Sequence, residues 1–464
     1  MLATALPLLM FAALAVLLFS GFPVAFVLGG LALAFGCLGI LADSFTFIQF
    51  FNIVPRIWGG IAENLILVAI PMFILMGTVL ERAGVAGELL RCLDRLLCRV
   101  PGGLALAVTL MGTIMAATTG IIGASVVMMT LLALPAMLQA RYQAGFASGT
   151  VAAAGTLGIL IPPSIMLVVM AEMLNKSVGT LFFAAFIPGL LLASLYAAFT
   201  VCMAIFRPDV APKHTTENRD DDSLIILITT GILPPAILIA LVLGSILLGW
   251  ASPTEAAGVG AFGALLLAFF MPSLIQRQEP TPSVPVPYLR VVRDSVESAA
   301  LTGGMLFGIF IGATAFSLVF RSLGGDEAIT GLAEASGLGP WGMLTALMVV
   351  IFLLGFFFDW IEITLIVLPI FVPIVELLDF GDHVSKAEVL YWFAILMAIN
   401  LQTSFFTPPF GFALFYVKGA APSVVSMQEI WHGSIPFVVL QLVALLMVLV
   451  FPDIALWLPR TYLT

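Results

Sequence analysis

The stretch GTLGILIPPSIMLVVM at residues 155–170 carries a proline pair in the middle of an apolar run, and QTSFFTPPFGFALFYV at 402–417 does the same. Proline has no backbone N–H, and its ring clashes with the preceding turn, so each pair should open a helix. In the hydrocarbon of a membrane, backbone groups freed in this way are tolerated only inside protein or beside a water-filled cavity. Two broken segments in corresponding halves of one chain are typical of a binding site near the midplane of a transporter.

The composition indicates a membrane protein. Of the 464 residues, 62% are hydrophobic and only 9% are charged, which predicts an all-α polytopic membrane protein. Since a span needs roughly 20 apolar residues, we count about ten to thirteen such stretches. The net charge of −9 is spread among short loops and argues against nucleic-acid binding. The four cysteines form no CxxC motif, so we expect no disulfide or metal site built on them.

The chain divides into two similar halves. The polar linker 207–223 separates residues 1–206 from residues 224–464 and is predicted to be cytoplasmic. The proline pairs that begin at Pro162 and Pro408 lie 246 residues apart, and two later Ile-Pro dipeptides lie 248 residues apart. This spacing predicts an internal duplication.

Each repeat is predicted to contain a re-entrant helical hairpin followed by a broken helix. In the first repeat they occupy about 102–139 and 144–174, and in the second about 342–378 and 389–420. The segment 276–295 of the second repeat is predicted to be a cytoplasmic arm. It is interpreted either as a short amphipathic helix on the membrane surface or as an ordinary solvated loop.

Lysine and arginine near the ends of the apolar stretches predict the orientation, because cytoplasmic loops are enriched in them. The basic clusters at 82–99, 207–219 and 277–293 are therefore placed in the cytoplasm. The first repeat then starts outside and the second starts inside, so both termini are predicted to be periplasmic. Opposite orientation of two repeats is the arrangement behind alternating access. A simple bundle of full spans is the alternative.

Carboxylates and small polar residues mark the predicted hairpin tips. Asp359 and Glu362 lie deep in an apolar run, where acids usually face a cavity, a partner or an ion. Asp359 falls at the predicted tip, so we favour it as a cation ligand, whereas Glu362 is expected to pair with a neighbouring subunit or donor. The other tip, AATTGIIGAS at 116–125, is rich in glycine and hydroxyl groups. Its carbonyls are suited to a hard cation such as Na⁺, although tight packing of small residues explains the composition equally well.

The broken helices are expected to form the opposite wall of the site. Their hydroxyls and freed carbonyls are suited to replace water around Na⁺ or to bind a substrate carboxylate. The half-helix N-termini after the proline pairs carry a positive dipole end, which favours an anion. The residues predicted to bind substrate are Ser125, Ser164, Pro163, Pro409 and Gly411.

An ordered set of motifs resembles the large membrane subunit of TRAP transporters, the tripartite ATP-independent periplasmic transporters of bacteria and archaea. The motifs are IPMFILMGTVLERAG at 70–84, PGGLALAVTLMGTIMAATTG at 101–120, GTLGILIPPSI at 155–165, ASPTEAAGVGA at 251–261 and FFTPPFGFALF at 405–415. The resemblance covers nearly the whole chain.

The resemblance implies an inverted-repeat fold of the ion transporter superfamily and an elevator mechanism, in which a transport domain moves against a static scaffold. It implies sodium-driven uptake of an organic acid (a dicarboxylate, keto acid or sugar acid) across the bacterial inner membrane, with Na⁺ as the coupling ion and no other cofactor. The implied partners are a periplasmic solute-binding protein and a small four-helix membrane subunit. The sodium sites carry over to Thr119, Gly120, Gly155, Gly158, Asp359, Thr403 and Thr407.

Two other functions compete with this one. A stand-alone ion-coupled organic anion symporter or exporter of the same superfamily needs no binding protein. An intramembrane enzyme or a channel belongs to a different class. One acidic cluster at 359–362 is too little for an enzyme, and a channel does not need two inverted hairpins. No Walker A loop is present, so ATP hydrolysis by this chain is not expected.

Overall fold

The structure of the chain, a computed structural model, describes residues 2–119, 122–213, 224–275, 287–408 and 411–462. Every regular element within these ranges is a helix. The predicted all-α fold is therefore confirmed.

The first half of the chain contains eleven α-helices within the described ranges. They are α1 (Leu2–Leu18), α2 (Val24–Leu41), α3 (Phe47–Phe50), α4 (Ile53–Ile57), α5 (Ala69–Arg82), α6 (Val85–Leu97), α7 (Gly103–Thr119), α8 (Ile122–Gln139), α9 (Ala144–Thr156), α10 (Ile165–Met173) and α11 (Val178–Phe206). A π-helical turn at Trp58–Ala62 and short 3₁₀ turns at Leu65–Val68 and Leu157–Ile159 complete this half.

The described part of the second half contains eleven further helices. They are α12 (Leu224–Gly231), α13 (Leu233–Leu247), α14 (Pro253–Ile275), α15 (Tyr288–Ser322), α16 (Gly325–Ala335), α17 (Pro340–Leu354), α18 (Trp360–Leu377), α19 (Val389–Phe406), α20 (Phe412–Ala420), α21 (Met427–Val450) and α22 (Asp453–Tyr462).

The helices have the length and surface of membrane spans. Nine helical segments in the described residues are long and apolar enough to cross a bilayer. Large apolar side chains such as Phe26 and Leu41 are 76% and 83% exposed, as expected of a surface that faces lipid. In contrast, 17 of the 18 residues of α19 are buried, whereas only six of the 24 residues of α21 are. The second broken helix therefore runs through the centre of the molecule.

Both predicted hairpins are present as pairs of packed helices, and both predicted broken helices are interrupted. α7 and α8 pack against each other as the first hairpin, and α17 and α18 form the second. α9 ends at Thr156, and α10 begins nine residues later at Ile165, beyond the proline pair. α19 ends at Phe406, and α20 begins at Phe412. Proline's missing N–H explains both breaks, because no helical hydrogen bond can be donated there.

The structure corrects the prediction for residues 288–295. Neither a separate short helix nor a loop is present, since these residues form the first two turns of the 35-residue α15. Their amphipathic pattern continues into the next apolar span without a helix-breaking residue, so one helix joins the two. Residues 276–286 of the predicted arm lie outside the described ranges.

A matching turn precedes each hairpin and supports the duplication. α5 and α15 both end just before a glycine with left-handed backbone, Gly84 with φ 78° and Gly324 with φ 85°. Glycine adopts positive φ without a Cβ clash, so it allows a sharp turn into the next helix. In each repeat that next helix, α6 or α16, leads into the hairpin.

The two repeats are intertwined at the centre of the fold. α20 of the second repeat packs on α8 of the first hairpin, and α10 of the first repeat packs on α18 of the second hairpin. α9 and α21 touch backbone to backbone, because a Cβ on Gly433 would overlap the carbonyl oxygen of Gly145. Such small-residue contacts let helices approach closely where lipid provides no hydrophobic drive.

Candidate functional site

A cavity of about 180 Å³ lies where the two hairpins and the two broken helices meet. Five helices contribute its described lining: Ile122 and Gly123 of α8, Ile165 of α10, Thr302, Met305 and Leu306 of α15, Asp359, Trp360 and Ile361 at the start of α18, and Phe412 and Tyr416 of α20. The lining is mostly apolar, with hydroxyl groups on Thr302 and Tyr416 and one ionisable acid, Asp359. No lysine or arginine is among these residues.

Four helix N-termini converge on this cavity. The first residues of α8, α10, α18 and α20 are Ile122, Ile165, Trp360 and Phe412, and all four line it. The convergence follows from the intertwined packing, since each hairpin's return helix lies against a half-helix of the other repeat. Helix N-termini expose backbone N–H groups and a partial positive charge. The cavity is therefore suited to an anion even without a cationic side chain.

Asp359 both starts a helix and lines the cavity. It is the N-cap of α18, and its Oδ1 accepts a hydrogen bond of 2.8 Å from the backbone N–H of Trp360. The backbone N–H of Asp359 in turn donates to Glu362 Oε2 at 3.3 Å, completing a capping box. The hairpin tip thus holds a carboxylate at a position set by its own helix.

Glu362 faces a different surface from Asp359. Its side chain lines a narrow apolar cleft between α1 and the second hairpin, together with residues that include Phe11, Leu14 and Phe358. Its capping bond to Asp359 gives it a structural partner within the hairpin. The expected pairing with a neighbouring subunit stays a prediction.

At the first break, a serine side chain donates the hydrogen bond to a backbone carbonyl that proline cannot donate. In a helix, the carbonyls of Gly158 and Ile159 would accept from residues 162 and 163, which are prolines without an N–H. Ser164 Oγ donates to the carbonyl of Ile159 at 2.5 Å. The carbonyl of Gly158 likewise lacks the helical hydrogen bond that residue 162 would otherwise donate, because residue 162 is a proline.

At the second break, hydroxyl groups are anchored to the helix and keep lone pairs free. Thr403 Oγ1 donates to the carbonyl of Ile399 at 2.9 Å, and Thr407 Oγ1 donates to the carbonyl of Thr403 at 2.7 Å. A hydroxyl group that donates its proton still has lone pairs with which to ligate a cation. Thr403 on α19 and Thr407, the C-cap of that helix, are thus one turn apart, and each hydroxyl is oriented by its own hydrogen bond.

Glycines bring each broken helix against its own hairpin. A Cβ at Gly155 would come within 2.7 Å of Val126 Cγ2 on α8. In the second repeat, a Cβ at Gly355 at the end of α17 would overlap Ser404 Oγ of α19. The sequence analysis included Gly155 but missed Gly355. The signal was present, because Gly355 lies four residues before Asp359 at the hairpin tip.

The structure does not gather all predicted residues around the cavity. Among the described lining residues, Asp359 is the one that the sequence singled out as a site residue. Ser125 and Ser164 are buried, and their neighbours along the chain, Gly123 and Ile165, line the cavity instead. Gly411 caps α20 immediately before Phe412. The side chain of Thr119, and all of Gly120 and Pro409, lie outside the described residues, so those predictions stay untested.

Sequence reasoning missed the scaffold side of the cavity. Thr302 of α15 lies in a long apolar helix and had no local signal. Tyr416 was findable, since it follows Phe412 by one helical turn on the half-helix after the proline pair. Its ring lies against Gly123, where a Cβ would be 3.1 Å from Tyr416 Cζ.

A helical membrane fold with a small cavity between two hairpin tips and two helix breaks, lined by four helix N-termini, is typical of a membrane transporter. Residues 11–454 match the family described as "Tripartite ATP-independent periplasmic transporter, DctM component". The chain belongs to this family. It is a TRAP transporter large permease subunit, and therefore a multi-pass protein of the inner membrane, and the resemblance found in the sequence is confirmed.

Relatives with assigned functions match the sequence of this chain over most of their length. The C4-dicarboxylate TRAP transporter large permease protein DctM of Pseudomonas aeruginosa is 31% identical over 400 residues, which cover 86% of this chain and 87% of that protein. The sialic acid TRAP transporter large permease protein SiaM of Vibrio cholerae is 26% identical over 452 residues, or 96% of this chain and 97% of that protein. These relatives are permease subunits, not enzymes, as the sequence predicted for this chain.

A solved structure shares the fold. The crystal structure of the Alcanivorax borkumensis YdaH transporter matches with a TM-score of 0.61 and 13% sequence identity, covering 97% of this chain and 99% of that chain. At this identity the match concerns the fold alone.

Proposed function

We propose that this chain is the sodium-coupled permease of a tripartite uptake system for a small organic acid. A periplasmic solute-binding protein delivers the acid, and a small four-helix membrane subunit braces the scaffold. Both termini lie in the periplasm. The convergence of four helix N-termini on one cavity carries the proposal, because it favours an anion at the place where both repeats meet.

The size of the cavity narrows the substrate class. The cavity volume of about 180 Å³ lies below the roughly 300–1,000 Å³ typical of sites for drug-sized ligands. That room suits a dicarboxylate or keto acid better than a bulky sugar acid. Among the relatives, the DctM protein of Pseudomonas aeruginosa is named for C4-dicarboxylates, which have the favoured size.

Oxygen groups at the second hairpin tip and at the two helix breaks support sodium coupling. Asp359, the anchored hydroxyls of Thr403 and Thr407 and the carbonyl of Gly158 are hard oxygen ligands, which suit a hard cation. A bound Na⁺ also supplies positive charge that the lining side chains lack. Sodium and the acid therefore favour each other's binding, which is the requirement for coupled transport.

The helices that line the cavity are consistent with an elevator movement. Thr302, Met305 and Leu306 of α15 form one side, and hairpin tips and half-helices form the rest. We propose that α15 stays with the scaffold while the hairpins and broken helices carry the solute across. The domain division at 207–223 then separates two repeats that each contribute to both parts.

The test is uptake into proteoliposomes that contain this chain and its small partner, with an inward sodium gradient. Labelled dicarboxylates, keto acids and sugar acids are supplied with and without the cognate binding protein. We expect uptake of a small acid that requires both sodium and the binding protein. Uptake that does not depend on the binding protein would favour the stand-alone symporter. Uptake that does not depend on the sodium gradient would contradict the proposed sodium coupling.

A further inference from the structure

The two broken helices touch each other at one pair of repeat-related residues. Gln402 Nε2 donates a hydrogen bond of 3.2 Å to Thr156 Oγ1, across a separation of 246 residues. The proline pairs of the two breaks have the same separation. Thr156 and Gln402 therefore occupy equivalent positions in the two repeats, and a bond between equivalent positions lies on the pseudo-two-fold axis that relates them.

The direction of this hydrogen bond is set by a second one. Thr156 Oγ1 donates its single proton to the carbonyl of Ala153 at 2.9 Å. It is therefore an acceptor toward Gln402, which must present its NH₂ group. The side-chain oxygen Oε1 of Gln402 is then buried and accepts no hydrogen bond from any residue that the structure describes. Both residues are fully buried, so no solvent screens the contact.

The bond joins the two proposed cation sites. Thr156 is the last residue of α9 and lies between Gly155 and Gly158, both proposed for the first site. Gln402 directly precedes Thr403 of the second site on α19, and α19 packs against the 3₁₀ turn of the first break. A cation that orders one break thus restrains, through one direct hydrogen bond, the helix that leads into the other.

We propose that the Thr156–Gln402 hydrogen bond couples the two cation sites, so that Na⁺ at one break raises the affinity at the other. Gln402 is a positioning residue, since it acts through Thr156 and the helix ends. The inference rests on the proposed sodium coupling. Coupling free energies between sites typically change affinity by about 5- to 150-fold, and one buried hydrogen bond is expected at the low end.

The experiment measures equilibrium binding of radioactive sodium to the purified full-length chain in lipid nanodiscs, with choline replacing sodium to keep ionic strength constant. The variants are Thr156→Val, Gln402→Met and the double variant. Each single substitution removes one partner, whereas the double variant replaces both by apolar groups of similar shape and is expected to fold best. Thr150→Val is the matched control, because Thr150 Oγ1 donates to the carbonyl of Phe146 within the same helix, α9.

We expect cooperative sodium binding in the wild type and in Thr150→Val, with a Hill coefficient clearly above one. In the double variant we expect the coefficient to fall to about one and half-saturation to need about fivefold more sodium, while its unfolding temperature stays near that of the wild type. Wild-type cooperativity in the double variant, or non-cooperative binding in the wild type, would overturn the inference and leave sodium coupling standing. No sodium-specific binding by the wild type would overturn both.

Discussion

At the scale of single residues, Asp359 combines two tasks that a substitution can separate. Its carboxylate caps α18 and also lines the cavity. Asparagine is as good an N-cap as aspartate but carries no charge, whereas alanine neither caps the helix nor carries a charge. The pair of variants therefore distinguishes helix capping from cation binding.

We predict that Asp359→Asn and Asp359→Ala both abolish sodium-dependent uptake. Only Asp359→Ala should also lower the stability of the protein, by about 1 kcal/mol for a lost N-cap. Uptake in proteoliposomes and thermal unfolding in nanodiscs measure the two effects. Normal uptake with normal sodium affinity in Asp359→Asn would contradict the assignment of the carboxylate as a cation ligand.

A second prediction at this scale concerns the contact between the second hairpin and its broken helix. Gly355→Ala places a methyl group on Ser404 Oγ, so the two elements must separate. Overpacking of this kind is expected to destabilise the protein by about 1–3 kcal/mol and to slow uptake. Gly258→Ala on α14 is the control, because a Cβ there meets no atom within 4 Å. Equal unfolding temperatures for the two variants would argue against a tight contact at Gly355.

At the scale of elements, the C-terminal helix α22 is held to the start of α19 by charge. Arg460 Nε and Nη2 donate to the two oxygens of Glu388 at 2.6 Å and 2.8 Å. These hydrogen bonds lower the pKa of the Glu388 carboxyl below its ordinary value. Arg460 also contacts Asp453 at 2.6 Å, but the Asp453 side chain is 75% exposed. The Glu388 contact should therefore contribute more than the Asp453 contact.

We predict that Glu388→Gln lowers the free energy of detaching α22 from the fold by about 1 kcal/mol, which is the upper end for a partly exposed ion pair. Asp453→Asn should lower this free energy by less. Since the folded-state pKa of Glu388 is lowered, its stabilisation is present above the ordinary carboxyl pKa and is lost as the pH falls through the lowered value. Hydrogen exchange of α22 should differ between wild type and Glu388→Gln at neutral pH and converge in acid. A difference that persists in strong acid would exclude the carboxylate as its source.

At the scale of the whole molecule, the wall helix α15 also contacts the second hairpin away from the cavity. Pro373 has no N–H for the carbonyl of Pro369, and Arg321 Nη2 at the end of α15 donates to that carbonyl at 3.2 Å. This hydrogen bond joins the proposed scaffold to the proposed transport domain. By contrast, Arg82 Nη2 donates to Ser298 Oγ at 2.8 Å and joins α15 to α5, which packs along α15 and which we place in the same scaffold.

An elevator movement must break the first contact and preserve the second. We predict that a cleavable cross-link between cysteines at positions 321 and 369 stops uptake, and that cleavage restores it. A cross-link between positions 82 and 298 should leave uptake unchanged. The measurement uses a background in which the four native cysteines are serines. Full uptake with the 321–369 cross-link in place would exclude relative movement of these two parts.

The sequence alone predicted the effects of the proline pairs, the lengths of the apolar stretches and the acid at the second hairpin tip, because each of these features acts locally. A missing N–H breaks a helix wherever it occurs, so the breaks near Pro162 and Pro408 and the start of α18 at Asp359 needed no tertiary information. The same local signals failed at 288–295, where an amphipathic pattern looked like a separate arm although the helix continues. Thr302 escaped because nothing in its neighbourhood distinguishes it from other residues of an apolar helix.

The sequence by itself determined the all-α membrane fold, the duplication, the two breaks and the family, since hydrophobic length, proline chemistry and ordered motifs are properties of short segments. Only the tertiary structure decided that four helix N-termini share one cavity, that Gly355 meets Ser404 and that Gln402 bonds to Thr156. These contacts join residues far apart in the chain, and small or uncharged side chains make most of them. Their partners are selected by how the two repeats pack through each other, which no local pattern encodes.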